Sequence, residues 1–269
     1  MQKPKLIASD VDGTLLDPMA RVTERTARAV ARVIAAGIPF VLVTGRPPRW
    51  IPPVSEVTDL RGYAVCSNGA VLYDIGADRV LATHGLDPML LHDVTHALER
   101  ALPGLRVAVE RASTAALDGP SFVAEYGYRN PWGDEEGGAA APRAEVLGHP
   151  ATKLLVRHPK LTSGEMAVAA REVLDHAVDV TFSTNSGLLE FSAAGVTKAF
   201  GLAEVCARLE RAAPDVVAFG DMPNDVEMLR WAGHGVAMAN AHPDALDAAD
   251  EIAAPNSEDG VAQVLERWF

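Results

Sequence analysis

The sequence predicts an α/β fold: one mostly parallel, Rossmann-like sheet assembled from the two ends of the chain, with an α+β insertion between them. Three observations predict it. The N-terminal stretch reads strand, helix, strand. The stretch after Gly195 resumes the same alternation, and between the two the pattern shifts to short strands around two amphipathic helices.

Taken in order, Leu6-Ile7-Ala8-Ser9 is a short apolar run that stops at Asp10-Val11-Asp12-Gly13, where glycine supplies a sharp turn. Thr23 is suited to cap a helix, and Ala27, Val30, Ala31 and Ile34 recur on one face with arginines on the other until Gly37 closes it. Residues 39–43 are too continuously apolar for a half-exposed strand and read as a buried one. Strand, helix and strand in this order imply a parallel pair joined by a right-handed crossover.

From Tyr63 the chain reads differently. Residues 63–66 form a strand, Asn68-Gly69 a turn, and 71–73 and 80–82 the arms of a hairpin across Gly76-Ala77-Asp78. Residues 87–102 are an amphipathic helix with Leu90, Leu91, Val94, Leu98 and Leu102 inward. Strands near 106–110 and 122–126 precede a Gly/Ala/Pro-rich stretch, 133–142, that reads as a mobile loop. A strand at 153–156, a helix at 163–176 and strands at 180–183 and 188–191 complete the middle. After Gly195 come a helix over 198–211, a strand over 216–219, a helix over 224–232 and a strand over 235–238, then short helices after Pro243 and near 260–268. The division expected is a core domain over 1–82 and 186–269 and an inserted domain over 83–185.

Hydrophobic residues make up 48% and charged residues 22%, the profile of an ordinary globular protein. The 24 basic against 36 acidic residues leave a net charge of −12, which argues against nucleic acid and anionic membranes as partners. An anionic substrate must therefore be drawn in by local positive charge. Cys66 and Cys206 lie far apart in apolar runs, as reduced thiols of a cytoplasmic protein would. The first residues carry no signal-peptide pattern, and the longest apolar run, 33–43, contains Gly37 and Pro39 and is too short to cross a bilayer. A cytoplasmic location is expected.

In a parallel sheet, functional groups gather at the carboxyl ends of the strands. The first strand ends in Asp10 and Asp12, the second in Thr44-Gly45-Arg46, and the strand at 216–219 in Gly220-Asp221-Met222-Pro223-Asn224-Asp225, while Lys198 opens a helix. Together these suit phosphoryl transfer. A carboxylate such as Asp10 attacks phosphorus once the phosphate is neutralised. Mg²⁺ takes hard oxygen ligands and keeps several waters, so Asp10, Asp221 and the Asp12 carbonyl suffice to hold it. Lys198 balances remaining negative charge, Thr44 donates to a phosphoryl oxygen, and Asp12 protonates the leaving oxygen.

These four segments resemble the four motifs of the haloacid dehalogenase superfamily: Asp10-Val11-Asp12-Gly13-Thr14-Leu15-Leu16, Thr44-Gly45-Arg46, Lys198, and the Gly220–Asp225 turn, in the required order. Cys66-Ser67-Asn68-Gly69-Ala70, Gly195-Val196-Thr197-Lys198 and Ala237-Met238-Ala239-Asn240-Ala241 resemble its Cof-type branch, in which a large α/β cap lies between the second and third motifs. The resemblance implies Asp10 as nucleophile and Asp12 as acid/base. Asp10, Asp12, Asp221 and Asp225 are the implied Mg²⁺ site, with Asn224 and Asp225 tightening it. Gly45, Arg46, Asn68 and Asn224 are the expected contacts of substrate or phosphate. The expected substrate is a small phosphorylated metabolite such as a sugar phosphate, with the cap closing over it. A phosphomutase using the same Asp10 chemistry and a non-catalytic phosphometabolite sensor are the alternatives.

Other residues read as structural. His92 and His96, one helical turn apart, lack the glutamate of a zinc-protease helix and form a solvated pair. Tyr126 and Trp132 are expected to pack the inserted domain, and Asp134-Glu135-Glu136 to be a solvated loop. Arg49 faces substrate, cap or solvent, and Glu190 is a weaker candidate for substrate contact.

Overall fold

The computed structural model describes residues 3–115, 121–130, 139–174 and 176–269. The chain divides into two compact units, the first comprising Met1–Ala82 and Thr197–Phe269, the second Thr83–Val196.

The first unit is built on an eight-stranded sheet. Strand β1 (Leu6–Ser9) lies at its centre, parallel to β2 (Phe40–Val43) on one side and to β12 (Val216–Gly220) on the other. Beyond β12 come β13 (His234–Met238) and β14 (Glu251–Ala253), both parallel; beyond β2 comes β3 (Tyr63–Cys66), also parallel. β4 (Val71–Asp74) turns back antiparallel and β5 (Arg79–Thr83) forms the edge. Strands β1 and β2 are buried at every residue, as their unbroken apolar runs require.

Helix α1 (Glu24–Ala35) starts where sequence predicts: the Thr23 side chain accepts from the Thr26 N–H at 3.1 Å. A cap of this kind contributes about 1 kcal/mol. Helix α2 (Pro52–Thr58) was not anticipated, because two prolines and β-branched residues obscure its period, yet prolines suit a first helical turn. β14 is also unforeseen: three residues are too few to show alternation.

The second unit carries a six-stranded sheet in the order β10-β11-β9-β6-β7-β8. Its strands are β6 (Arg106–Arg111), β7 (Phe122–Glu125), β8 (Ala139–Ala141), β9 (Ala151–Arg157), β10 (Val178–Thr181) and β11 (Leu188–Ala193). Pairing is antiparallel except for β7 with β8. Helices α3 (Pro88–Ala101), α4 (Arg143–Leu147) and α5 (Ser163–Val173) complete it, α5 opening on a capping box of Thr162 and Glu165.

Three expectations change here. The stretch 186–196, assigned from sequence to the core, belongs to the second unit, because β11 pairs antiparallel with both β9 and β10. Part of the expected loop is ordered: Ala139–Ala141 pairs with β7, backbone bonding taking over where side chains give no signal. Tyr126 is 64% exposed rather than packed, and its neighbour Tyr128 instead meets Phe122 edge-on at 6.0 Å. Trp132 and residues 134–136 lie outside the described residues.

Among the described residues no helix is long and apolar enough to cross a membrane. Cys66 and Cys206 are buried free thiols.

Candidate active site

β1 sits where the chain's connections diverge, with β2 to one side and β12 to the other, so the carboxyl ends of these strands form the switch point at which α/β sheets place ligands. Asp10 follows β1 directly, and its backbone N–H donates to the Phe219 carbonyl at 2.9 Å, locking the ends of β1 and β12 together. The next residues, Val11–Leu15, form one tight turn that needs glycine twice over. Gly13 has φ +79°, and a Cβ there would come within 2.2 Å of Asp221 Oδ2. That approach brings the Asp221 carboxylate against the turn.

A similar closeness seats Lys198. Gly69, at φ +105°, lies so near the start of helix α6 (Lys198–Arg208) that a Cβ would fall 2.0 Å from the Thr197 carbonyl oxygen. The helix can therefore press its first residue inward, and Lys198 is 1% exposed. Its ammonium donates to Asp10 Oδ1 and to Asp225 Oδ1, each at 2.6 Å.

Asp10, Asp221 and Asp225 present oxygens within 4.8 Å of one another. Three carboxylates face one ammonium, an excess of negative charge in a buried place. Burial pushes the Asp10 carboxyl well above the usual range; Lys198 pulls it down, and Asp225, Asp221 and Asp12 push it up again. Asp221 is pushed up to about 7, first by burial and then by Asp225, with Thr14 and Lys198 opposing. Burial alone would lower the Lys198 pKa, but the carboxylates of Asp10 and Asp225 outweigh it and raise it. A hard cation would relieve this charge, and the donors are the hard oxygens Mg²⁺ prefers.

The oxygens differ in availability. Asp225 accepts from Lys198 with one oxygen and from the Asp221 and Met222 N–H groups, both at 3.0 Å, with the other. It is fully engaged in holding the site together. Asp221 accepts from the Thr14 hydroxyl at 2.8 Å through Oδ1, which leaves Oδ2 open among the described residues. Asp10 likewise keeps Oδ2 without a donor among the described residues. Thr14, in the predicted turn but given no role from sequence, thus orients Asp221; its place directly after the turn glycine was the available signal. Asn240 was also missed as a contributor: its side chain donates to the Gly13 carbonyl at 2.9 Å.

Asp12, expected to act as acid/base through its carboxylate and to offer a metal its carbonyl, turns the carboxylate away from the cluster. Both its oxygens accept from Arg46, at 2.6 and 2.8 Å, outside the three-carboxylate cluster. Its side chain is 57% exposed, whereas the Arg46 side chain is mostly covered. Thr44 is completely buried, and its hydroxyl oxygen accepts from the Arg46 N–H at 3.1 Å, so its own proton remains to donate. Through Gly45 this segment stays close to the β3–β4 turn, since the Asn68 N–H donates to the Thr44 carbonyl and Ser67 N–H to that of Arg46. Asn68, at φ 57°, accepts from the Asn224 amide at 3.1 Å, and the Asn224 Oδ1 is buried without a donor.

Two weaker candidates lie elsewhere. The Arg49 guanidinium stacks over the Trp50 ring at 5.1 Å. Glu190 sits in the second unit, buried, its two oxygens accepting from Lys153 and Ser183. His92 and His96 are exposed on α3.

Comparison with known proteins identifies the family. The family model of the haloacid dehalogenase-like hydrolases matches residues 7–265. The chain is 29% identical to the Bacillus subtilis 5-amino-6-(5-phospho-D-ribitylamino)uracil phosphatase YitU, over 99% of this chain and 98% of that one. It is 28% identical to YcsE, a phosphatase of the same name from the same organism, over 98% and 95%. A solved haloacid dehalogenase-like hydrolase from Bacteroides thetaiotaomicron superposes with a TM-score of 0.78 at 26% identity, covering 99% of this chain and all of that one. The chain belongs to the haloacid dehalogenase-like hydrolases, in their Cof-type branch, and is a phosphatase of that superfamily.

Proposed function

We propose that this protein is a Mg²⁺-dependent phosphatase that hydrolyses a small phosphomonoester, of the sugar- or polyol-phosphate kind, through a phosphorylated Asp10. One observation carries the reading. Asp10, at the end of the central strand, has one oxygen fixed by Lys198 and the other without a donor among the described residues, and it presents a carboxylate oxygen within 4.8 Å of one from Asp221. A carboxylate so placed can both touch a cation and face phosphorus. The two B. subtilis relatives named above act, by their names, on a phosphorylated ribitylamino compound, which suggests the substrate class.

Asp10 and Asp221 would hold Mg²⁺, which when bound neutralises the phosphate and lets an anionic nucleophile approach. The Asp10 carboxylate attacks phosphorus, the bond from phosphorus to the ester oxygen breaks, and Asp12 gives that oxygen a proton. Water then attacks the aspartyl phosphate, Asp12 takes its proton, and the bond from Asp10 to phosphorus breaks to release inorganic phosphate. Lys198 favours the ionised form of Asp10 and aims it, and the Thr44 hydroxyl donates to a phosphoryl oxygen. For Asp12 to serve, its carboxylate must exchange Arg46 for the leaving group, so Arg46 acts as a rest position for the acid.

Hydrolysis of an aryl phosphate tests this. Activity should require Mg²⁺, disappear with a chelator, and fall by at least about 10³-fold in Asp10→Asn. Hydrolysis undiminished in Asp10→Asn would falsify the mechanism.

A further inference from the structure

The second unit holds a concentration of positive charge among residues to which the proposed hydrolysis assigns no role. At one end of its sheet lies a hollow of about 610 Å³, lined among others by Arg106, Arg129, Arg157, His158 and Lys160. Among the described residues no aspartate or glutamate lines it. β9 begins at Ala151, bridged to Leu86 near the start of the unit, and runs out to Arg157, so the hollow is at the end remote from where the chain enters.

Grouped cations without acids stand out in a chain of net charge −12. Elsewhere several arginines find carboxylates: Arg25 pairs with Glu266, Arg143 with Glu125 and Arg267 with Glu251. Around the hollow no described carboxylate pairs with them. The guanidinium of Arg106 donates to the Leu105 carbonyl, and that of Arg157 to the carbonyls of Arg129 and Ser186. The head groups of Arg129 and Lys160 make no ion pair or hydrogen bond with any described residue. The nearby Glu165 carboxylate is turned to the Thr162 N–H and hydroxyl, both at 2.8 Å, as part of the α5 cap.

The lining is also held in advance. Arg157, by its two carbonyl contacts at 3.0 and 2.9 Å, ties the segment after β7 to the β10–β11 turn. The His158 ring accepts from the Lys160 and Leu161 N–H groups through Nδ1 and meets the Pro103 carbonyl through Nε2, which fixes the turn that carries Lys160. Donors fixed before a ligand arrives lower the ordering cost of binding.

We propose that this hollow is a binding site for a small anion carrying two phosphate groups, such as a bisphosphorylated sugar or a nucleoside diphosphate. Four permanent cations exceed the need of one phosphate, and the volume falls within the roughly 300–1,000 Å³ of small-molecule sites. Arg129 and Lys160 supply the uncommitted head groups; Arg106 and Arg157 supply charge from fixed positions. The assignment is independent of the reaction proposed for Asp10.

The test is calorimetric titration of the full chain with methylenediphosphonate, a bisphosphonate that phosphatases cannot hydrolyse, at low salt with a chelator present. Without divalent metal the three-carboxylate cluster repels this probe, so binding reports on the hollow. Saturable binding at one site is expected. Loss of roughly tenfold in affinity per cation removed is expected in Arg129→Ala and Lys160→Ala, with Arg129→Lys largely retaining it. Asn185→Asp with Ser186→Asp, which brings carboxylates into the lining without removing a cation, should weaken binding likewise. Hydrolysis of an aryl phosphate in the absence of the bisphosphonate should be unchanged in all of these. Absence of saturable binding, affinity unaltered by the substitutions, or binding of an oligonucleotide in its place would overturn the assignment.

Discussion

Each unit buries one lysine against glutamate or aspartate, and the two arrangements differ in what they leave open. In the second unit Lys153 meets Glu190, whose other oxygen accepts from Ser183, so both glutamate oxygens have donors. In the first unit Lys198 is shared by Asp10 and Asp225, and Asp221 adds a third carboxylate. Open oxygens remain on Asp10 and Asp221. A closed pair needs nothing further and serves packing, whereas an incomplete set of charges calls for a cation and a substrate. Buried ion pairs are common, so it is the unsatisfied remainder that marks a reactive site.

The largest predicted effect breaks this comparison by substitution. Lys198→Met should remove aryl phosphate hydrolysis and, in the metal-free chain at pH 8, destabilise it by about 3–5 kcal/mol, because two buried carboxylates lose their counter-charge. The joint replacement Lys153→Met with Glu190→Leu should be close to neutral in chemical denaturation, since a closed pair yields to apolar groups of similar volume. Equal losses in the two cases would erase the distinction.

Next in size is the response to metal. Mg²⁺ at a hundredfold excess over its dissociation constant should stabilise the chain by about 2.7 kcal/mol in thermal unfolding, and Asp221→Asn should lose most of that gain. Thr14→Val, which removes the hydroxyl that orients Asp221, should weaken Mg²⁺ binding by roughly 10- to 100-fold while leaving the metal-free melting temperature little changed. Titration calorimetry distinguishes the two.

The smallest effect is the pH dependence of the metal-free chain. Asp221 has its folded pKa raised to about 7 from an ordinary value of 3.8, so between these the folded state holds more protons than the unfolded one. Its contribution to stability is therefore greatest below the lower value and declines as pH rises towards and through 7. The melting temperature measured with chelator should fall from pH 5.5 to pH 8, less steeply in Asp221→Asn, and Mg²⁺ should reverse the trend, since the metal requires the deprotonated form.

Much of the first unit is legible in sequence because its signals are local. The apolar runs of β1 and β2, the Thr23 cap and the turn glycines each act over a few residues, and the order of Asp10, Thr44, Lys198 and Asp221 survives in the fold. What sequence does not reveal depends on partners distant along the chain. That the Asp12 carboxylate pairs with Arg46 is set by two turns meeting, and that Thr14 serves Asp221 by a contact across most of the chain. The boundary near 186–196 was misplaced because β11 is defined by its pairing with β9 and β10, and an apolar strand fits either sheet equally well.

The central claim is that Asp10 itself receives the phosphoryl group. Chain mixed with excess aryl phosphate and Mg²⁺, quenched in acid during turnover and treated with borohydride, should have Asp10 reduced to homoserine, read by peptide mass spectrometry. Reduction confined to residue 10 is the predicted result. An unmodified Asp10 under conditions of full turnover, or reduction at Asp12 or Asp221 instead, would contradict it.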